Sequence, residues 1–191
     1  MQRCDWAGDD PLYQAYHDTE WGVPEHDSRA LWEKLVLDGF QAGLSWITIL
    51  RQRENFRAAF EGFDPHRIAH WGEAEVARLL QDPGIIRHRG KIEAVINNAR
   101  RAQELVADYG SLARYVWSWE PDPDELGAPQ SQTTSASAIA MSKDMKKRGW
   151  KFVGPTTVFA FMQSMGLLND HAEGCCLRAP VDVARAALTR P

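Results

Sequence analysis

Four positions constrain this chain more than any others: Leu31, Leu35, Asp38 and Ala42. Spacings of 4, 3 and 4 put them on one face of an α-helix, and that face is apolar except for the carboxylate. Gly43 interrupts the pattern, Ser45 is placed to cap a second helix, and Trp46 opens it. Burying an unpaired charge is costly. Asp38 therefore either lies at a helix end bonding backbone amides or belongs to a site.

The rest of the chain reads as helices joined by short breaks. Residues 1–27 lack a clear period and suggest loop with one short helix. Asp27 or Ser28 caps a helix to about Ala42, and Ser45 begins another to about Phe60. Asp64-Pro65 starts a third, with proline at its first position. Glu73 to Gln81 is a fourth, stopped by Asp82-Pro-Gly84. Arg87 to about Asp108 is long and amphipathic, with Ile92, Val95, Ile96 and Ala99 inward, and Leu112 to Trp119 follows. Residues 120–130 carry Pro, Asp and Gly and should be exposed loop. Ser135 or Ser137 caps a helix to about Arg148; after a turn, Pro155 opens another that ends near Gly166. The tail from Leu177 has room for a last helix over Val181–Leu188. No run alternates with a strand period, so the expectation is all-α.

With 191 residues the chain can bury one real core, and no apolar run approaches a membrane span. The first residues do not form a signal peptide, so the cytoplasm is the expected location. Three cysteines in such a chain argue against a disulfide framework. Net charge is −4, yet residues 143–151 hold five basic residues against one acid, and Arg87-His-Arg-Gly-Lys91 is a second basic knot. A local positive patch, not a basic protein, is what a phosphate backbone requires.

Three constellations carry chemistry. In residues 137–166 a helix, a turn bracketed by Gly149 and Gly154, and a second helix beginning Pro155-Thr156 follow in order. Glycines admit a close backbone approach and helix N-terminal amides attract anions. This is the pattern of a helix-hairpin-helix grip on DNA, and equally of an ordinary αα-hairpin with a basic face. Next, His171-x3-Cys175 places two metal ligands one helical turn apart, and Cys4-x12-His17 could supply two more. Two Cys and two His suit a closed tetrahedral zinc site joining the chain's ends, although isolated Cys and His are also ordinary core or surface residues. Finally, Asp38 with Tyr16 and Trp46 offers an acid, a phenol and an indole to a flat polar heterocycle. His26, His66, His70 and His88 lack such company.

The motifs Cys4-Asp-Trp6, Asp10-Pro-Leu-Tyr13, Tyr16-His-Asp-Thr-Glu-Trp-Gly-Val-Pro24, Gln41-Ala-Gly-Leu-Ser-Trp46, Gly84-Ile-Ile-Arg87, Phe152-Val-Gly-Pro-Thr156, Phe161-Met-Gln163 and Asn169-Asp-His171 resemble, in order, the 3-methyladenine DNA glycosylase I family. The resemblance runs from Cys4 to about Cys176. It implies an all-α helix-hairpin-helix DNA glycosylase fold: one domain over residues 1–176, two helical lobes around a base pocket, and a tail at 177–191. It implies a structural zinc ion (Zn2+) on Cys4, His17, His171 and Cys175. It implies a base held by Asp38, Tyr16 and Trp46, with Trp6 and Tyr13 near. Leu44 becomes a candidate wedge for the gap in the duplex, and Gly149, Lys151, Gly154 and Thr156 the backbone grip. The expected partner is double-stranded DNA containing alkylated bases, bound by a monomer.

The reaction so implied is monofunctional hydrolysis of the N-glycosidic bond of 3-methyladenine, after nucleotide flipping, in base-excision repair. N3-methylation makes the base cationic, so it departs as a neutral molecule without being protonated. A carboxylate and an indole face suit such a cation, the latter contributing about 0.5–2 kcal/mol. Residues 155–168 contain no acid, and the sequence places no hairpin lysine in an apolar pocket, so no lyase activity is expected. Two positions depart from the resemblance. Members more usually carry Glu where this chain has Asp38, and some carry a polar residue where it has Phe40. The alternative is a damage-binding scaffold without turnover.

Overall fold

Most helices begin where a side chain accepts from a first-turn amide or a proline removes one. The computed structural model describes all 191 residues and contains no strand. Asp10 accepts from the amides of Leu12 and Tyr13 and opens α1 (Pro11–Thr19). Asp27 accepts from Ala30 and opens α2 (Ser28–Gln41). α3 (Trp46–Ala59) has Ser45 in the cap position, but the hydroxyl bonds Thr48 Oγ1 rather than a backbone amide. Asp64 and Pro65 start α4 (Pro65–Ile68), and a Glu75 carboxylate reaching back to the Gly72 amide starts α5 (Glu73–Leu80). His88 caps α6 (Arg89–Tyr109), which ends at left-handed Gly110. α7 (Leu112–Trp117) is two residues shorter than its pattern suggested. Ser135 caps α8 (Ala136–Lys147), while Ser137 turns to Glu125. α9 (Pro155–Ser164) starts at Pro155 as expected.

α2 is the central element and touches α3, α6, α7 and α9. Its face buries Leu31, Leu35 and Asp38 as the spacing predicts, and Lys34 as well. Ala42 is exposed, because the helix stops at Gln41. Lys91 crosses from α6 and donates to the carbonyls of Phe40 (2.9 Å) and Ala42 (2.6 Å). It thus satisfies carbonyls that the helix end leaves free. The basic knot at 87–91 is therefore largely consumed by structure, since Arg89 also pairs with Glu73 and Glu93. Phe40 lies fully in the core against Phe56 (4.8 Å) and Phe60 (5.8 Å). Its departure from the family pattern bears on packing and not on the pocket.

The tail is a docked helix, α10 (Arg178–Ala187), which starts three residues earlier than the pattern suggested. Val181 is buried, Arg185 pairs with Glu120 at 2.8 Å, and Arg185 also bonds the Gly166 carbonyl. Gly166 is a point of close approach. Its φ is +75°, and a Cβ there would lie 2.4 Å from the Pro24 nitrogen. The same contact ties residues 22–25 to the end of α9, through Gly22 N to Ser164 O and Glu25 N to Met165 O. Gly166→Ala should therefore lower stability by at least about 2 kcal/mol, because strain and a backbone collision add. Urea unfolding monitored by circular dichroism measures this; an unchanged midpoint would show that the clasp yields freely.

Candidate active site

A cavity of about 260 Å³ opens among α1, α2, the start of α3, and α9. The one-turn spacing of α1 delivers Tyr13 and Tyr16 to it, α2 delivers Lys34 and Asp38, and α3 begins there with Trp46. Tyr16 and Trp46 lie 5.6 Å apart, and Trp6 sits 5.0 Å from Tyr13. Tyr16, Trp46 and Asp38 are buried. The structure thus brings together all five residues expected to meet a base.

It also places there a group the sequence reading missed. Lys34 stands one turn before Asp38 and donates from Nζ to Asp38 Oδ1 at 2.5 Å, while Nζ lies 3.8 Å from the centre of the Trp46 ring. Burial pushes Asp38 up and Lys34 down, each toward its neutral form, and their mutual attraction opposes both shifts. Burial, and then the charge of Asp38, raises Tyr16 well above the ordinary tyrosine range, so it remains a neutral phenol. Asp38 Oδ2 and Trp46 Nε1 are buried without a hydrogen-bond partner. A helical period of i, i+4 ending on Asp38 was the available signal for Lys34, obscured because lysine is usually read as solvent-facing. Asp170 likewise lines the cavity, where its carboxylate accepts from Gln130 N (2.9 Å) and Gln163 Nε2 (2.6 Å).

Behind the aromatic wall lies the second cluster. Trp6 packs on Trp21 (5.0 Å), and Trp21 packs edge-on to His171 (4.8 Å). Cys4, His17, His171 and Cys175 are all buried, and their ligand atoms lie within 4.8 Å of one another. Cys4 Sγ is 3.6 Å from His171 Nδ1, and Cys175 Sγ is 3.5 Å from both His171 Nδ1 and His17 Nε2. The outward nitrogens are held: His171 Nε2 meets the Trp21 carbonyl at 3.0 Å, and His17 Nδ1 meets Asp18 at 2.9 Å. Arg3, and then His17, hold the Asp18 carboxyl down at about 2. Burial lowers His171 to about 4 and raises the Cys4 thiol to about 11. The four residues could hold one metal ion.

The turn between α8 and α9 is clamped by Asn98, which donates to the Lys151 carbonyl and accepts from its amide, both at 2.9 Å. Gly149 is left-handed at φ +89°. Lys151 and Thr156 are exposed, as are Lys143, Lys146 and Lys147, and none of these lysines is ion-paired. Arg148 is consumed by Asp108 and Asp144. No atom lies within 4 Å of where a Gly154 Cβ would be. Leu44 stands exposed in the turn between α2 and α3.

A family described as methyladenine glycosylase matches residues 6–179. DNA-3-methyladenine glycosylase 1 of Escherichia coli (strain K12) is 52% identical over 180 residues, covering 92% of this chain and 96% of that protein. DNA-3-methyladenine glycosylase of Haemophilus influenzae is 44% identical over 177 residues, covering 91% and 96%. A crystal structure of a tyrosine-to-phenylalanine variant of 3-methyladenine DNA glycosylase I in complex with 3-methyladenine superposes with a TM-score of 0.87. It is 37% identical and covers 93% of this chain and 98% of that one.

The ion pair makes a specific energetic demand. Lys34→Met should destabilise by roughly 3 kcal/mol, because it strands a buried carboxylate, and Asp38→Leu by a similar amount. The double variant should cost far less than the two together. Urea unfolding of the four proteins in a double-mutant cycle gives the coupling; strict additivity would show that the two groups do not compensate each other.

Proposed function

The chain belongs to the methyladenine glycosylase family, and we propose that it is a DNA-3-methyladenine glycosylase acting in base-excision repair by hydrolysing the N-glycosidic bond of the damaged nucleotide. The observation that carries this reading is the buried, unpartnered Oδ2 of Asp38 in a cavity walled by Tyr16 and Trp46. A flipped 3-methyladenine cation finds there a carboxylate oxygen and aromatic faces, with Trp6 and Tyr13 completing the wall. The positive base needs no proton to depart. What the site must supply is a fit that stabilises the flipped nucleotide while water adds to the sugar. Asp38 is the catalytic residue in this scheme. Lys34 is the one lysine lining the cavity, and with Asp38 holding its Nζ it serves as a cation and not as a nucleophile. The reaction is accordingly monofunctional, without lyase activity.

The DNA face runs from Leu44, as the wedge entering the space the base leaves, to the helix-hairpin-helix at about 137–166. Gly149, Lys151, Gly154 and Thr156 contact phosphates there. The exposed, unpaired lysines of that segment support a salt-dependent grip. Residues 1–176 form one domain, with 177–191 as an appended helix, and the protein acts as a monomer in the cytoplasm. No helix is long and apolar enough to cross a membrane.

Cys4, His17, His171 and Cys175 hold a structural zinc ion in this reading. Bond lengths of about 2.3 Å to sulfur and 2.0–2.1 Å to nitrogen give a tetrahedron S···N edges of about 3.6 Å. The 3.5–3.6 Å separations found here fit that set. Such an ion would neutralise two buried thiolates and lock the chain's two ends together behind Trp21.

Chromatography of bases released from methylated duplex DNA tests the function. The protein should release 3-methyladenine, and Asp38→Asn should be slower by roughly 10- to 100-fold, the worth of a charged hydrogen bond. DNA retention without base release would instead identify a damage-binding scaffold. Elemental analysis should find about one zinc per chain, lost in Cys175→Ala together with a fall in melting temperature. A wild-type protein free of metal and equally stable with chelator would remove the zinc.

A further inference from the structure

A pocket that binds cationic bases should keep its carboxylate and its indole face for the ligand. Here the chain's own cation already takes one oxygen of that carboxylate and one face of that indole. Lys34 Nζ lies 2.5 Å from Asp38 Oδ1 and 3.8 Å from the centre of the Trp46 ring. The nearby positive group Arg53 does not share Asp38, because Glu20 binds it bidentately at 2.6 and 2.7 Å. Asp170 is taken by Gln130 and Gln163. Lys34 and Asp38 therefore form a self-compensated pair whose net charge is zero. A methylated cation entering this pocket meets a like charge beside the carboxylate it needs.

The same pair presents an ammonium donor next to a free acceptor, Asp38 Oδ2. That combination complements an amide edge, a carbonyl oxygen beside an N–H, carried by an uncharged 6-oxopurine and not by adenine. From this we infer that Lys34 is a substrate-binding, specificity-determining residue that extends the pocket to neutral deaminated purines, hypoxanthine being the simplest. The inference rests on the base-excision reading above.

An uncharged purine is a poor leaving group, and the lysine supplies what the missing methyl cation does not. As the C1′–N9 bond breaks, its electron pair passes into the purine, and O6 shares the developing negative charge against the Lys34 ammonium. Water adds its oxygen to C1′, and the proton it releases ends on the departing base. Hypoxanthine leaves neutral, and no protein group is consumed. Flipping is cheapest where pairing is already weak, which favours a deaminated adenine over an intact base pair. Burial lowers the proton affinity of Lys34 and so makes it a stronger hydrogen-bond donor toward such an oxygen.

The test compares base release from two duplexes, one methylated and one carrying a single deoxyinosine, by the wild-type protein and Lys34→Gln. Glutamine keeps a donor for Asp38 but carries no charge. The wild type should release hypoxanthine. Lys34→Gln should lose at least tenfold of that activity while releasing 3-methyladenine several-fold faster. Release of 3-methyladenine but no hypoxanthine by the wild type would overturn the inference and leave the family reading intact. Hypoxanthine release without 3-methyladenine release would support Lys34's role and overturn the 3-methyladenine reading. Equal losses of both activities in a folded Lys34→Gln would reduce Lys34 to a structural part. If Lys34→Gln does not fold, the wild-type arm alone decides the activity.

Discussion

A carboxylate inside an apolar helical bundle persists only if an opposite charge or a set of donors meets it, and the pocket of this protein is organised by that requirement. Asp38 sits on the central helix α2 and is buried. Lys34, one turn earlier, satisfies one oxygen. The other oxygen stays unpartnered among aromatic rings. An apolar pair of similar volume would be about as stable. The charged pair leaves one carboxylate oxygen engaged and the other available to the cavity.

The scaffold holds that device from both ends of the chain. Cys4 and His17 come from the first residues, His171 and Cys175 from near the last, and they converge in one buried cluster. Trp6 and Trp21 connect the cluster to the pocket wall, so anything that loosens the junction also loosens the aromatic faces lining the cavity. Lys91 fixes the end of α2 from a third direction, which sets the position of the exposed turn bearing Leu44. The pocket wall, the exposed turn and the junction are thus tied together by packing and not by a single long loop.

Much of this was legible in the chain itself. The caps at Asp27, Asp64 and Ser135, the turn glycine Gly149 and the 3.6-residue periodicity give most helices from α2 onward, because these are local effects acting within one or two turns; the Asp10 cap of α1 and the left-handed Gly110 that ends α6 emerge only in the structure. The aromatic and acidic pocket residues and the four Cys and His residues were legible as ordered motifs. Less legible was the use of basic residues. Arg87-His-Arg-Gly-Lys91 reads as a phosphate patch, yet Lys91 is buried on carbonyls and Arg89 is ion-paired. Phe40, one of the two positions that depart from the resemblance, proves to be core.

What the sequence determined by itself was therefore the class of fold, the boundaries of its helices within a few residues, and the identity of the residues that could form a site. Only the tertiary structure decided that Lys34 points inward over Trp46, that Asp170 is tied to Gln130 and Gln163, and that the tail docks through Val181 and Arg185. The reason is physical. A helix's start, stop and apolar stripe depend on neighbours three or four residues away, whereas the partner of a long charged side chain depends on which distant segment packs over it. A lysine's stem can lie along an apolar surface or reach into water at similar cost, so its sequence position does not say which.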